Sequence, residues 1–190
     1  MKKKITVALA GNPNSGKTTL FNSLTGARHH VGNYPGVTVE RKEGFLNLKD
    51  YEVQVIDLPG IYSLTPYSAE EIVAEKVLMH ERPDLIVNIV DASNLERNLY
   101  LTTQLIDMNV KVVIALNMFD ELEESGARLN YTELGEMIGI PIIPTVGSKG
   151  KGIKDLFDRI IEVYEDRDPI VRHIHINYGR NIESAISAIQ

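Results

Sequence analysis

Short runs of β-branched and aliphatic residues alternate along this chain with stretches whose apolar positions recur at helical spacing. Residues 4–10 read as a strand and residues 18–26 as a helix closing at Gly26. Residues 27–38 carry Gly32, Asn33, Pro35 and Gly36, so the pattern predicts a mobile, turn-rich loop there. Residues 39–48 and 51–58 read as two strands joined by a tight turn at Lys49-Asp50. A helix is expected over 68–81, with Ser68 as N-cap and Glu71 three positions on completing a capping box. Strands at 85–90 and 110–116 are nearly continuous apolar runs, as suits strands of a parallel sheet covered on both faces. Between them lies a helix at 95–108. A short helix over 131–138 (Asn130 and Glu133 in cap spacing), a strand over 141–144 and a helix over 153–164 complete the series. The alternation implies a doubly wound α/β sheet with its ligand at the carboxyl ends of the strands.

After residue 166 the rhythm breaks. Asp168-Pro169 reads as a linker, and an amphipathic helix begins at Asn181 with Ile182, Ala185, Ile186 and Ile189 on one face. About ten residues are marginal as a lone helix. The expected division is therefore a main domain over 1–166 and, over 167–190, a linker and the first helix of a second, helical unit.

The 190 residues carry a formal net charge of −6, and the only basic run is Lys2-Lys3-Lys4 at the terminus. Nucleic-acid binding leans on clustered Lys and Arg, so no nucleic-acid partner is expected. Cysteine is absent, which excludes disulfides and thiolate metal sites. No apolar run approaches the ~18–20 residues that span a bilayer. The reading is a soluble piece, such as one belonging to something larger.

The chemistry begins at Gly11-Asn-Pro-Asn-Ser-Gly-Lys-Thr18, which fits G-x-x-x-x-G-K-[ST] and lies between a strand and a helix. Gly11, Asn12, Asn14, Ser15 and Gly16 would turn backbone N–H groups around a polyphosphate. Lys17 would reach the β- and γ-phosphates, the Thr18 hydroxyl would face Mg²⁺, and Thr19 follows in the helix. Asp57-Leu-Pro-Gly60 ends a strand, offering Asp57 as a second Mg²⁺ ligand through water and the Gly60 N–H as a γ-phosphate sensor. Thr38, in the turn-rich loop, could ligate Mg²⁺ only when a γ-phosphate is present. Asn117-Met-Phe-Asp120 follows another strand. Asp120 could accept a pair of hydrogen bonds from guanine N1–H and N2–H₂ that adenine cannot supply. Asn117 would contact the purine edge and tie this loop to the phosphate loop. Met118 replaces the usual lysine of N-K-x-D, so guanine specificity with modest affinity is expected. Val146, Gly147 and Ser148, followed by Lys149, stand where a loop amide would meet guanine O6.

These elements, in this order, resemble a small GTPase of the translation-factor-related class, which implies a three-layer P-loop GTPase fold with a mostly parallel sheet and one antiparallel edge strand. Residues 11–22, Val31-Gly-Asn-Tyr-Pro-Gly-Val-Thr-Val-Glu40, Asp57-Leu-Pro-Gly-Ile-Tyr-Ser-Leu64, Asp91-Ala-Ser-Asn-Leu-Glu-Arg-Asn-Leu-Tyr-Leu101 and Asn117-Met-x-Asp120 resemble the N-terminal G domain of the ferrous iron transport protein B (FeoB) family. The likeness covers residues 3–165, and Ile176-Asn-Tyr-Gly179 onward is similar to the start of that family's helical domain. It implies a domain on the cytoplasmic face of a cell membrane, attached to an Fe²⁺ permease and able to be brought together with copies of itself. A free-standing GTPase of ribosome or tRNA maturation is the alternative.

The expected activity is slow hydrolysis of GTP to GDP and phosphate, with Lys17, Asn14, Thr38 and Gly60 as the catalytic set. Ile61 stands where many GTPases place a water-orienting glutamine and cannot hydrogen-bond. Backbone groups, Glu70, Glu71 or a cation must hold the water instead. The resemblance implies activation by K⁺ with Asn14 as its side-chain ligand. His29 and His30, and His173 and His175, bring no third ligand by spacing and read as surface residues.

Overall fold

The computed structural model describes residues 2–26, 29–48 and 50–171. Lys49 of the expected turn, His173, His175 and the helix expected from Asn181 lie outside them. Among the described residues seven strands form one sheet: β1 (Lys3–Gly11), β2 (His29–Asn33), β3 (Glu40–Leu48), β4 (Tyr51–Asp57), β5 (Leu85–Asp91), β6 (Val112–Asn117) and β7 (Ile142–Pro144). Their spatial order is β2-β3-β4-β1-β5-β6-β7. β1, β4, β5, β6 and β7 pair in parallel, while β3 pairs antiparallel with both β2 and β4. The sheet is therefore mixed, antiparallel at one edge, as expected of the class.

The edge strand itself corrects the sequence reading. Residues 29–33 lie inside the segment expected to be loop, yet His29 to Asn33 pair with Gly44 to Glu40. The turn is confined to residues 34–39. Gly44 sits mid-strand because α1 passes over it. A Cβ there would stand 2.2 Å from the Thr25 methyl.

Among the described residues six α-helices cover the sheet: α1 (Lys17–Thr25), α2 (Ala69–Lys76), α3 (Leu95–Asp107), α4 (Phe119–Glu124), α5 (Tyr131–Ile138) and α6 (Ile153–Tyr164). One face packs Leu20, Phe21 and Leu24 of α1 and Leu156, Ile160 and Val163 of α6 against Ile5, Val7, Leu9, Val53 and Val87. The other packs Val73 and Ala74 of α2 and Leu101 and Leu105 of α3 against Ala8, Ile56, Ile86 and Ile114. Fully burying an aliphatic side chain of this kind is worth roughly 1.5–3 kcal/mol, so the two clusters supply most of the drive that holds the three layers together. The helix expected over 68–81 is α-helical only to Lys76 and continues as a π-turn over Val77–Glu81, closed by Arg82 in the left-handed region. The short α4 was not foreseen.

Register sets where the site can be. Leu9 is opposite Asp57, Gly11 opposite Ile89, and Asp91 opposite Asn117. The carboxyl ends of β1, β4, β5 and β6 thus finish side by side. The chain leaves β4 on one side of β1 and resumes as β5 on the other, which opens a crevice there for a ligand.

Candidate functional site: a phosphate loop joined to a base-reading loop

Residues 12–16 leave β1 and turn directly into α1. The Ser15 amide bonds the Asn12 carbonyl at 3.2 Å, and Asn14 and Gly16 both take positive φ, 65° and 82°. Gly16 is required twice over. Its backbone is left-handed, and a Cβ would lie 2.2 Å from Asn117 Nδ2. No side chain caps the start of α1 and no acidic residue stands in its first turn, so its leading N–H groups face outward with the positive end of the helix. Among the described residues, Ser15 Oγ and Asn12 Oδ1 are buried without a hydrogen-bond partner. A buried hydroxyl left this way costs free energy unless a ligand supplies the acceptor. A phosphate oxygen would supply it for Ser15, and Asn12 Oδ1 would take a donor or a cation.

Lys17 Nζ lies 2.6 Å from Asp57 Oδ1, with the two side chains only 10% and 7% exposed. Each thereby satisfies a charge that a buried site could not carry alone. The segment after Asp57 is pressed onto the phosphate loop: the Ile61 amide bonds the Gly11 carbonyl at 3.1 Å, and a Cβ on Gly60 would stand 3.1 Å from Pro13 Cα. Thr18, next to Lys17 in the chain, and Thr38, in the turn over 34–39, are both exposed residues. Thr18, Thr38 and Asp57 are an all-oxygen donor set, suited to a hard cation such as Mg²⁺. Among the described residues no group of three or more His, Cys, Asp or Glu could hold a metal.

At the other end, Asn117, the last residue of β6, joins two loops. Its Nδ2 donates to the Ser15 carbonyl at 2.9 Å, while its Oδ1 accepts from the Gly147 amide at 3.0 Å and the Thr145 hydroxyl at 3.3 Å. Only one amide hydrogen remains for a purine. Gly147 is held from its other side by Ser23, whose Oγ donates to the Gly147 carbonyl at 2.8 Å. Val146 and Gly147 are buried, and Ser148 is exposed. Met118 takes a left-handed conformation and caps α4, which puts Asp120 in the first turn of that helix. Asp120 Oδ2 accepts from Lys149 Nζ at 2.7 Å. That hydrogen bond, and the lysine charge behind it, holds the Asp120 carboxyl below the usual carboxylate range.

Lys149 was named from sequence as the end of the 146–149 stretch, without its pairing to Asp120. Thr145 and Ser23 were not singled out, since their contacts bridge 28 and 124 positions and leave no local signal. Glu71 is engaged through one oxygen: its Oε2 accepts from the Ser68 amide at 3.0 Å and completes the capping box of α2. Glu70 is exposed at the same helix start. His29 bonds the Gly26 carbonyl through Nδ1 at 3.3 Å and gathers no other ligand.

The crevice so built resembles known proteins closely. The sequence profile described as "Ferrous iron transport protein B" matches residues 5–160. The Fe(2+) transport protein A/Fe(2+) transporter FeoB fusion protein of Porphyromonas gingivalis is 56% identical over 186 residues, which is 97% of this chain but 22% of that protein. The crystal structure of the cytosolic domain of the T. maritima FeoB iron transporter in a GDP form superposes with a TM-score of 0.89 at 39% identity, over 98% of this chain and 73% of that one. Its GMPPNP form gives 0.87 at 39% identity, over 97% and 72%.

Proposed function

The chain belongs to the ferrous iron transport protein B family, and we propose that it is that family's G domain: a cytoplasmic switch that binds GTP, hydrolyses it slowly and regulates ferrous iron uptake by a membrane permease attached beyond it. The observation that carries this reading is the Asn117 side chain, bonded at once to the phosphate loop and to the Gly147 loop, with Asp120 beside it. Such a site measures one ligand from its phosphates to its base. Guanine offers Asp120 two parallel N–H donors, and adenine does not.

Gly11, Asn12, Asn14, Ser15, Gly16, Lys17, Thr18 and Thr19 hold the phosphates in this proposal. Thr18, Asp57 and Thr38 hold Mg²⁺, and Asn117, Met118, Asp120, Val146, Gly147 and Ser148 hold the base. Bound Mg²⁺ neutralises charge on the phosphates. Lys17 leaves Asp57 for the phosphates and keeps a positive charge beside the developing negative one. Gly60 offers its N–H to the terminal phosphate, and the Thr38 loop closes over it and excludes water. Asn14, held at positive φ, presents its side chain at the loop's outer edge, where K⁺ would sit. Residues 1–166 form the G domain, and residues 167–190 lead into a helical unit that passes the switch state on to the permease.

Titration calorimetry of the chain with GTP, GDP and ATP in Mg²⁺ tests the reading. Guanine nucleotides should bind at least about 100-fold more tightly than ATP, since a buried site built for hydrogen bonds rejects a ligand that leaves them unpaired. Equal affinities would end it. Hydrolysis in KCl should exceed that in NaCl, and Asn14→Ala should remove the difference.

A further inference from the structure

Tyr34 opens the loop that carries Thr38. It is only 5% exposed, and its hydroxyl is buried without a hydrogen-bond partner. The rest of the residue is fully used. Its amide bonds the Val39 carbonyl at 2.9 Å, its carbonyl accepts from the Val37 amide at 3.3 Å, and the Arg41 guanidinium lies 5.0 Å from the ring centroid. Residues 34–39 thus form a small closed unit that carries both the phenol and Thr38. The unit joins one apolar cluster with Val73 and Val77 through Tyr34, Val37 and Val39. Tyr34, Pro35, Val37, Ile72, Val73 and Val77 also line a cavity of about 350 Å³ beside it. Beyond the loop, Arg41 grips Glu81 with two parallel hydrogen bonds of 2.6 and 2.8 Å, so the chain is fixed where the loop ends.

A buried phenol with no acceptor costs free energy that some other state must recover. Among the described residues four buried side-chain atoms stand unpartnered, and two of these, Asn12 Oδ1 and Ser15 Oγ, belong to the phosphate loop. The site also lacks a side-chain hydrogen-bonding group at Ile61. Burial pushes the Tyr34 hydroxyl up to about 12 against the opposing charge of Arg41, so it is a donor and not a base. Its ring is buried in one cluster with Leu58 and Ile61, of the segment that follows Asp57.

We propose that the Tyr34 hydroxyl is a donor held for the triphosphate state, giving its hydrogen bond to an oxygen of the terminal phosphate when the Thr38 loop closes over GTP. This rests on the reading of the site as a GTP site. It makes Tyr34 a residue that distinguishes GTP from GDP, acting where the missing glutamine cannot.

Tyr34→Phe separates this role from a structural one, because the two predict opposite signs. In the nucleotide-free chain the variant removes an unpaired polar atom, and the melting temperature should rise by about 2–4 °C. With Mg²⁺ present, its preference for GMPPNP over GDP should fall about tenfold relative to wild type, with GDP affinity unchanged. A melting temperature that falls, or an unchanged GMPPNP-to-GDP ratio, overturns the proposal while leaving GTP binding intact. Wild-type chain that binds neither nucleotide overturns both readings.

Discussion

Lys17 and Asp57 neutralise each other at 2.6 Å in a nearly buried setting, so removing either leaves the other exposed to the full cost of burial. Lys17→Ala should lower the stability of the nucleotide-free chain by on the order of 3 kcal/mol in urea denaturation. It should also weaken GTP binding by about 10- to 100-fold, the worth of a hydrogen bond to a charged phosphate. A variant with unchanged stability would show that the pair carries no load in the free protein. The exposed Asp120–Lys149 pair behaves differently. Lys149 holds the folded Asp120 below its ordinary value, and Asp120 raises Lys149. The pair's contribution is therefore whole at neutral pH. It fades as pH falls through the folded Asp120 value and again as pH rises through the folded Lys149 value. The stability gap between wild type and Lys149→Met should be widest near pH 7 and close on acidification. A gap independent of pH would refute the assignment. At this level the phosphate loop, Asp57 and Asn117-Met-x-Asp120 were legible because spacing alone carries them. The Lys17–Asp57 pair, the Asp120–Lys149 pair and the unpartnered Tyr34 hydroxyl were not, since each depends on which distant atoms meet.

Elements were legible where a period or a cap writes them locally. The capping box of α2 was visible as Ser68 and Glu71, and both of its hydrogen bonds are present. Ser68→Ala should cost about 1 kcal/mol of stability. Because α2 leads from the Asp57 segment toward the Arg41–Glu81 clamp, its loss should also raise hydrogen exchange over residues 69–81. Exchange unchanged there would mean the helix is held by packing alone. β2 was hidden because its Gly32 and Asn33 read as turn residues, and its strand character comes from β3 alongside it. α4 was hidden for another reason: of its six residues only Phe119 and Leu122 pack, partly buried, against the core, too few to mark a period. The π-turn at Val77–Glu81 leaves no mark in the sequence, being a matter of how the last turn of helix is wound.

Across the whole molecule, two apolar clusters on opposite faces of one sheet account for the layered fold, and the alternation of strands and helices announced it. The site, by contrast, has no single segment. It exists only where the carboxyl ends of β1, β4, β5 and β6 finish together. No helix among the described residues is long and apolar enough to cross a membrane, and the chain spans 22% of the Porphyromonas gingivalis relative. Saturating GDP at about 100 times its dissociation constant should stabilise the chain by about 2.7 kcal/mol, read as a rise in melting temperature. Asn117→Ala should abolish much of that rise, because the variant loses the three bonds that gather the phosphate loop, the Thr145 hydroxyl and Gly147. One side chain fastening two loops to the end of β6 also bears on how a bound molecule would depart. On the proposed reading, whatever loosens Asn117 would free the base end and the phosphate end in a single event, and Asn117→Ala should release GDP faster than wild type.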